Sequence, residues 1–307
     1  MKILVTGAGG FVGAALLRGL RRQDDEVTGS VRRDCGPGLV PVGDIGPDTD
    51  WRPALHGVET VIHLANRAHV MDESEADPLA VFRRVNRDGT LRLAEQAVAA
   101  GVRRLVFVSS IKVNGEATHG APFTATGQPA PEDAYGLSKL EAERGLAAIA
   151  ARTGLEVVVV RPPLIYGPGV KGNLRTLMNV VGKGMPLPLG LVDNRRSLIG
   201  LGNLVDLLGL CARAPQAAGR VWLARDGEDL STPELIRRMG RALGRPARLL
   251  PVPPVLLRLA GRLTGKSAAV GRLLGSLRVD DAATRAELGW TPPESVDEGL
   301  AAMAAAP

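Results

Sequence analysis

Short apolar runs and amphipathic stretches alternate along the first 165 residues. The runs are Ile3–Val5, Glu26–Val31, Thr60–Leu64, Arg104–Val108 and Glu156–Val160. Between them, Ala14–Arg22, Val81–Ala100 and Ser138–Ala151 carry apolar residues at helical spacing. Continuous apolar strands separated by helices predict right-handed βαβ units around a parallel sheet buried on both faces. The expected class is α/β, a Rossmann-type doubly wound parallel sheet over residues 1–165.

The texture changes after Pro162-Pro163. Gly and Pro become frequent, and residues 166–307 read as a smaller, mainly substrate-binding region. Two pieces near 197–225, Leu198–Leu210 and Arg220–Leu223, are expected to return to the sheet. The segment Pro251–Leu274 mixes leucines with Arg258, Arg262 and Arg272. Either a helix packing its Leu face on its own domain or a membrane-surface helix fits, and the first is favoured. The Ala-rich tail from Ala301 is expected to fray.

Composition narrows the function classes. The net charge of +6 comes from thirty-two Arg against six Lys. Aromatic residues are 3% of the chain and no basic run exceeds two residues, so nucleic-acid binding is set aside. The charge suits an anionic small molecule instead. Cys35 and Cys211 lack metal-ligand spacing and read as thiols of a reducing compartment. His56, His63, His69 and His119 also lack metal spacing, so loop or core packing is expected for each and no metal site is expected. Met1 leads directly into a strand and no 18-residue apolar run occurs, so the expectation is a cytoplasmic chain without a membrane span.

The first strand runs into Thr6-Gly-Ala-Gly-Gly-Phe-Val-Gly13 and then a helix. Gly7, Gly10 and Gly13 at three-residue spacing permit a tight turn, close approach of a pyrophosphate, and close helix–strand packing. The second strand ends in Ser30-Val31-Arg32-Arg33, where an acid would hold the adenosine ribose. Arg32 and Arg33 could clamp a 2′-phosphate, which favours NADP(H) with NAD(H) the alternative; a solvated turn is the plain reading. Asp44 is a candidate for the adenine amino group, or a solvated loop residue.

Tyr135-Gly-Leu-Ser-Lys139 places a phenol and an ammonium one helical turn apart. The ammonium, together with the charge of an oxidised nicotinamide, is expected to pull the phenol's pKa down toward working pH. The strand Arg104–Val108 delivers Ser109-Ser110 to the carboxyl edge of the sheet, where Ser110 would bond the reacting oxygen. Asn86 either completes a proton relay or caps the next helix.

These stretches, with Ile62–Ala65, Val85–Thr90, Val108–Gly115, Arg161–Gly169 and Leu288–Pro292, resemble the extended short-chain dehydrogenase/reductase family. The likeness is to its NAD-dependent epimerase/dehydratase group, which acts on nucleotide sugars, and it spans nearly the whole chain. It implies Tyr135 as acid/base, Lys139 on the nicotinamide ribose and Ser110 on the sugar oxygen. It also implies Phe11, Val12, Ile45, Leu64, Ala65 and Pro162 along the cofactor. Lys112, Asn173 and Arg196 fall at substrate positions, the last two at the diphosphate, with Arg195 the alternative to its neighbour. Homodimers are common in the family.

Two departures bear on the reaction. Ile111 and Lys112 stand where sugar 4,6-dehydratases carry an Asp-Glu pair, so dehydration is set aside. Arg32 and Arg33 favour a reductase that exchanges NADPH each turn. The favoured reading is a 4-reductase of a UDP-linked 4-keto-6-deoxy-N-acetylhexosamine in surface-polysaccharide synthesis. The alternative is a UDP-glucose or UDP-N-acetylglucosamine 4-epimerase with bound NAD. An idle dinucleotide-binding module is disfavoured by the intact Ser110, Tyr135 and Lys139.

Overall fold

The computed structural model describes residues 1–21, 25–33, 36–68 and 77–306. The strands are β1 (Lys2–Thr6), β2 (Glu26–Val31), β3 (Leu39–Pro41), β4 (Thr60–His63), β5 (Arg104–Val108), β6 (Glu156–Arg161), β7 (Leu164–Tyr166), β8 (Arg196–Gly200), β9 (Val221–Leu223) and β10 (Asp229–Leu230). Seven of them form a parallel sheet in the order β3-β2-β1-β4-β5-β6-β9. The order reverses at β1, so helices cover both faces and the fold is the expected Rossmann-type α/β architecture.

Strand residues show why both faces are covered. Ile3, Val5, Val106, Val108, Val158 and Val160 enter one apolar cluster, with the helices Phe11–Arg21 and Leu201–Arg213. Their alternates Leu4, Leu105, Phe107, Val157 and Val159 enter a second cluster, under the helices Gly89–Ala99 and Ala134–Thr153. A period of two with apolar residues in both phases leaves neither face fit for water.

Three segments depart from the sequence-based expectation. Arg196–Gly200 does not enter the large sheet; it pairs parallel with β7 and antiparallel with β10 in a separate three-stranded sheet. The following helix Leu201–Arg213 does lie on the large sheet, and β9 pairs with β6. Second, Pro251–Leu274 is not one inward-facing helix. It is two helices, Pro254–Leu263 and Ser267–Leu274, separated at Gly265 (φ +68°), with most of the leucines outward. Third, the Ala-rich end is helical over Val296–Ala305. A capping box between Ser295 and Glu298 starts it, and Leu300 and Met303 are buried. That helix shares an apolar cluster with Tyr166, Met178, Leu230 and Ile236.

Candidate active site

The glycine loop sits at the sheet's carboxyl edge, between β1 and the helix Phe11–Arg21. Gly7 adopts φ +67°, and a Cβ there would lie 2.9 Å from the Ala65 backbone. A Cβ on Gly13 would come within 2.2 Å of the Gly7 carbonyl. The loop therefore closes on itself only without side chains, and Gly9 and Gly10 stay exposed at the helix start. Phe11 and Val12 pack their side chains against apolar clusters. Their peptide groups open a helix whose positive dipole end faces this loop, a fit for a pyrophosphate.

A buried chain of hydrogen bonds runs from this loop to the Tyr135 helix. The Thr6 hydroxyl accepts from the Leu64 and Ala65 N–H groups at 3.1 and 3.2 Å, so its own proton goes to His63 Nδ1 at 2.7 Å. His63 Nε2–H then donates to Thr90 Oγ1 at 3.0 Å, and Thr90 donates to the Asn86 carbonyl at 2.7 Å. The Asn86 side chain clamps the Arg67 backbone through both N–H and C=O and donates to Ser138 Oγ at 3.0 Å. Ser138 closes the chain on the Tyr135 carbonyl at 2.7 Å. Asn86 is not a helix cap: it lies inside a π-helical turn, Arg83–Asp88, within a helical run from Pro78 to Ala99. Burial, helped by the Lys139 charge, pushes the His63 pKa down to about 3.

Ser110, extended at φ −157°, caps the turn Ile111–Val113 by accepting from Lys112 N–H at 3.3 Å. The helix Ala134–Thr153, capped by Asp133, approaches this turn so closely that a Cβ on Gly136 would sit 2.7 Å from the Lys112 carbonyl. Tyr135 thus reaches Ser110, and its ring meets Phe82 edge-on at 5.9 Å. Lys139 is buried, donates to the Val108 carbonyl at 2.7 Å, and lies 4.0 Å over the Phe107 ring.

Taken together, the chain's own groups do not lower the Tyr135 phenol. Burial first, then the Asp133 charge, raises the Tyr135 phenol to about 12, with the Ser110 bond acting in the opposite direction. Burial also brings the Lys139 ammonium down to about 7. In the chain alone, burial and the Asp133 charge hold the phenol protonated. Lys112 bonds Glu116 at 2.7 Å and Asp133 at 2.5 Å. Burial opposes both charges, but these bonds prevail, so Lys112 is raised and Asp133 lowered.

The remaining sequence candidates are placed as follows. Arg32 is exposed and paired with the exposed Asp44 at 3.0 Å; Arg33 follows it, also exposed. Ile45 packs on the helix at Gly89, and the Pro162 carbonyl accepts from Ile111 N–H at 3.0 Å. Asn173 is exposed in the first turn of the helix Asn173–Gly182. Arg196 spends its guanidinium on the carbonyls of Arg272 and Gly275, at 2.7 and 3.1 Å, while Arg195 is exposed. His56 and His119 are exposed; Cys211 is buried, which pushes its thiol up to about 12. Cys35 and His69 lie outside the described residues. Among the described residues, no three His, Cys, Asp or Glu side chains are grouped to hold a metal.

A second buried network escaped the sequence reading. Glu143 accepts from Ser109 Oγ at 2.5 Å and from Arg161 Nε and Nη2 at 3.0 and 2.5 Å, and Arg161 also bonds Asn114 Oδ1 at 3.0 Å. The signal was available: Glu143 follows Tyr135 and Lys139 at four-residue intervals, so a carboxylate falls on the helix face turned to the sheet.

A glycine loop and a Ser–Tyr–Lys cluster at one edge of a doubly wound sheet define a dinucleotide-dependent oxidoreductase of the short-chain type. The chain belongs to the NAD dependent epimerase/dehydratase family, whose model matches residues 3–223. It is 48% identical over 305 residues to a UDP-glucose 4-epimerase of Vibrio cholerae, covering 97% of this chain and 93% of that one. It is 26% identical to an N-acetyl-α-D-glucosaminyl-diphospho-ditrans,octacis-undecaprenol 4-epimerase of Escherichia coli O157:H7, over 97% of this chain and 92% of the relative. Among solved structures, MoeE5 in complex with UDP-glucose and NAD is 27% identical with a TM-score of 0.77, covering 99% of this chain and 97% of the other. The chain is accordingly an NAD-dependent enzyme of that epimerase/dehydratase family. No described helix is long and apolar enough to cross a membrane.

Proposed function

We propose that the protein inverts C4 of a UDP-linked hexose, UDP-glucose or its N-acetylamino counterpart, using NAD that stays bound between turnovers. The observation that carries this reading is the 48% identity, along nearly the full length of both chains, to a UDP-glucose 4-epimerase. It reverses the order of the two readings drawn from the sequence, in which the reductase stood first. The preference for NADP(H) gives way with it, since MoeE5 holds NAD.

The glycine loop and the first turn of helix Phe11–Arg21 would hold the pyrophosphate, and Lys139 the nicotinamide ribose. When bound, the dinucleotide supplies the two-electron acceptor and donor for C4. Tyr135 would take the proton of the C4 hydroxyl as C4 is oxidised, and return it to the same oxygen as C4 is re-reduced from the opposite face of the ring. Ser110 donates a hydrogen bond to that oxygen and keeps it in line with the phenol. Because burial and the Asp133 charge hold Tyr135 protonated, the proton-accepting form depends on positive charge arriving beside it.

A second reading, reduction of a UDP-linked 4-keto sugar with NADPH, keeps one observation in its favour: the two positions that follow β2 are Arg32 and Arg33. One experiment separates the two. Purified protein is denatured, the released dinucleotide is identified by chromatography, and the enzyme is incubated with UDP-glucose and UDP-N-acetylglucosamine. Released NAD together with formation of the C4 epimer is expected. Release of no NAD, with NADPH consumed only when a 4-keto sugar is added, would overturn the epimerase reading. Tyr135→Phe should abolish turnover and still retain the dinucleotide.

A further inference from the structure

We propose that the helices Pro254–Leu263 and Ser267–Leu274 form an in-plane membrane-surface element that seats the protein on an anionic lipid bilayer. The two helices pack closely as a hairpin: a Cβ on the buried Gly261 would lie 2.8 Å from Val270 Cγ2. Leu257 and Leu274 turn inward against the apolar cluster around Tyr166 and Met239. What remains outside is unusual for a folded chain. Val255 is 68% exposed, Leu256 54%, Leu259 51% and Leu263 80%, with Leu273 at 42% on the neighbouring helix.

At about 100° per residue, Val255, Leu259, Leu263 and Leu256 fall within one arc of roughly 100° on the first helix. Arg258 and Arg262 fall along one border of that arc, and Leu257 on the opposite, buried side. An apolar stripe edged by arginines is the arrangement of a helix lying at a lipid–water boundary, with its long cations reaching headgroups.

Charge selects the occupant. Between Ala242 and Val279 the sequence carries seven Lys and Arg residues and no Asp or Glu. Arg258, Arg262, Lys266 and Arg272 form no ion pair among the described residues. A second copy of the chain, docked by the same face about a two-fold axis, would bring cation against cation. An anionic bilayer meets the leucines with acyl chains and the cations with phosphate.

The element is also fixed to the rest of the fold. Asn194 and Arg196 bond the carbonyls of residues 272–275, and Ser276 and Arg278 accept from the N–H groups of Thr118 and Phe123. Docking through the hairpin would therefore hold the segment after Ser110 at a set height above the lipid. No described helix crosses a membrane, so the association is peripheral.

The test is co-sedimentation of the full chain with vesicles of phosphatidylcholine alone or mixed with phosphatidylglycerol. Binding to the mixed vesicles at least about tenfold tighter is expected, falling about tenfold in 0.5 M salt. Leu259→Glu/Leu263→Glu should remove binding, and Arg258→Gln/Arg262→Gln should weaken it and flatten its salt dependence. Circular dichroism and sugar-nucleotide turnover should stay unchanged in both, because the replaced side chains face solvent. Equal vesicle binding by wild type and the Leu variant would overturn the proposal. So would a failure of wild type to bind anionic vesicles, or dimerisation by sedimentation velocity that the Leu variant alone loses.

Discussion

Glu143 and Arg161 face each other in the core with Oε2 and Nη2 2.5 Å apart, at side-chain exposures of 7% and 4%. They tie the catalytic-side helix to the end of β6, and Ser109, next to Ser110, bonds the same carboxylate. Removing one partner of such a pair strands the other charge, whereas removing both leaves only a packing problem. Glu143→Ala should therefore cost about 3–5 kcal/mol in urea unfolding. Glu143→Leu/Arg161→Met should recover most of that loss. Equal destabilisation of the single and double variants would show that the two charges are not coupled.

His63 makes stability depend on pH. Its folded pKa lies near 3, below the free value of 6.5. Between those values the unfolded chain binds more protons, so stability is complete above about pH 6.5 and is lost as pH falls toward 3. From pH 7 to pH 5 this one group should remove about 2 kcal/mol. His63→Gln keeps a donor and an acceptor between Thr6 and Thr90 without titrating. Denaturation at the two pH values should show a loss smaller by about that amount in the variant; parallel losses would refute the role given to His63.

The sheet was readable from sequence because β1, β5 and β6 carry apolar residues in both phases, a pattern that few alternatives satisfy. The loop of Gly7, Gly10 and Gly13 was readable because its spacing falls between a strand and a helix at the chain's start. What was missed depends on contacts distant in sequence. Arg196–Gly200 is apolar enough for the large sheet, yet it pairs with Leu164–Tyr166, a three-residue strand too short to announce itself. The Ala-rich end was taken as frayed, but Leu300 and Met303 find an apolar cluster built from β7 and distant helices. The position of Asn86 inside a π turn, and the charge state of Tyr135, follow from packing that periodicity does not encode.

Gly13 tests the cofactor loop. A methyl group there would lie 2.2 Å from the Gly7 carbonyl and 2.9 Å from Ala8 Cα, both backbone atoms that cannot step aside. The loop must open, at a cost of about 1–3 kcal/mol for overpacking. Gly13→Ala should cut the NAD content of the purified protein at least about tenfold, measured by release on denaturation. Retention of wild-type NAD content would remove the loop from the proposed cofactor site.

Arg32 bears on which dinucleotide the loop receives. Its pair with Asp44 joins two largely exposed side chains, 74% and 86%, so replacing it should cost under about 1 kcal/mol of stability. A carboxylate at this strand end can accept hydrogen bonds from the ribose hydroxyls of NAD, and it repels a 2′-phosphate. Arg32→Glu should thus lower affinity for NADP at least about tenfold while NAD binding and C4 inversion persist, as read by fluorescence titration and by epimer formation. If the arginine instead clamps a 2′-phosphate during turnover, the same variant loses activity together with NADP binding. That outcome would return the reductase to first place.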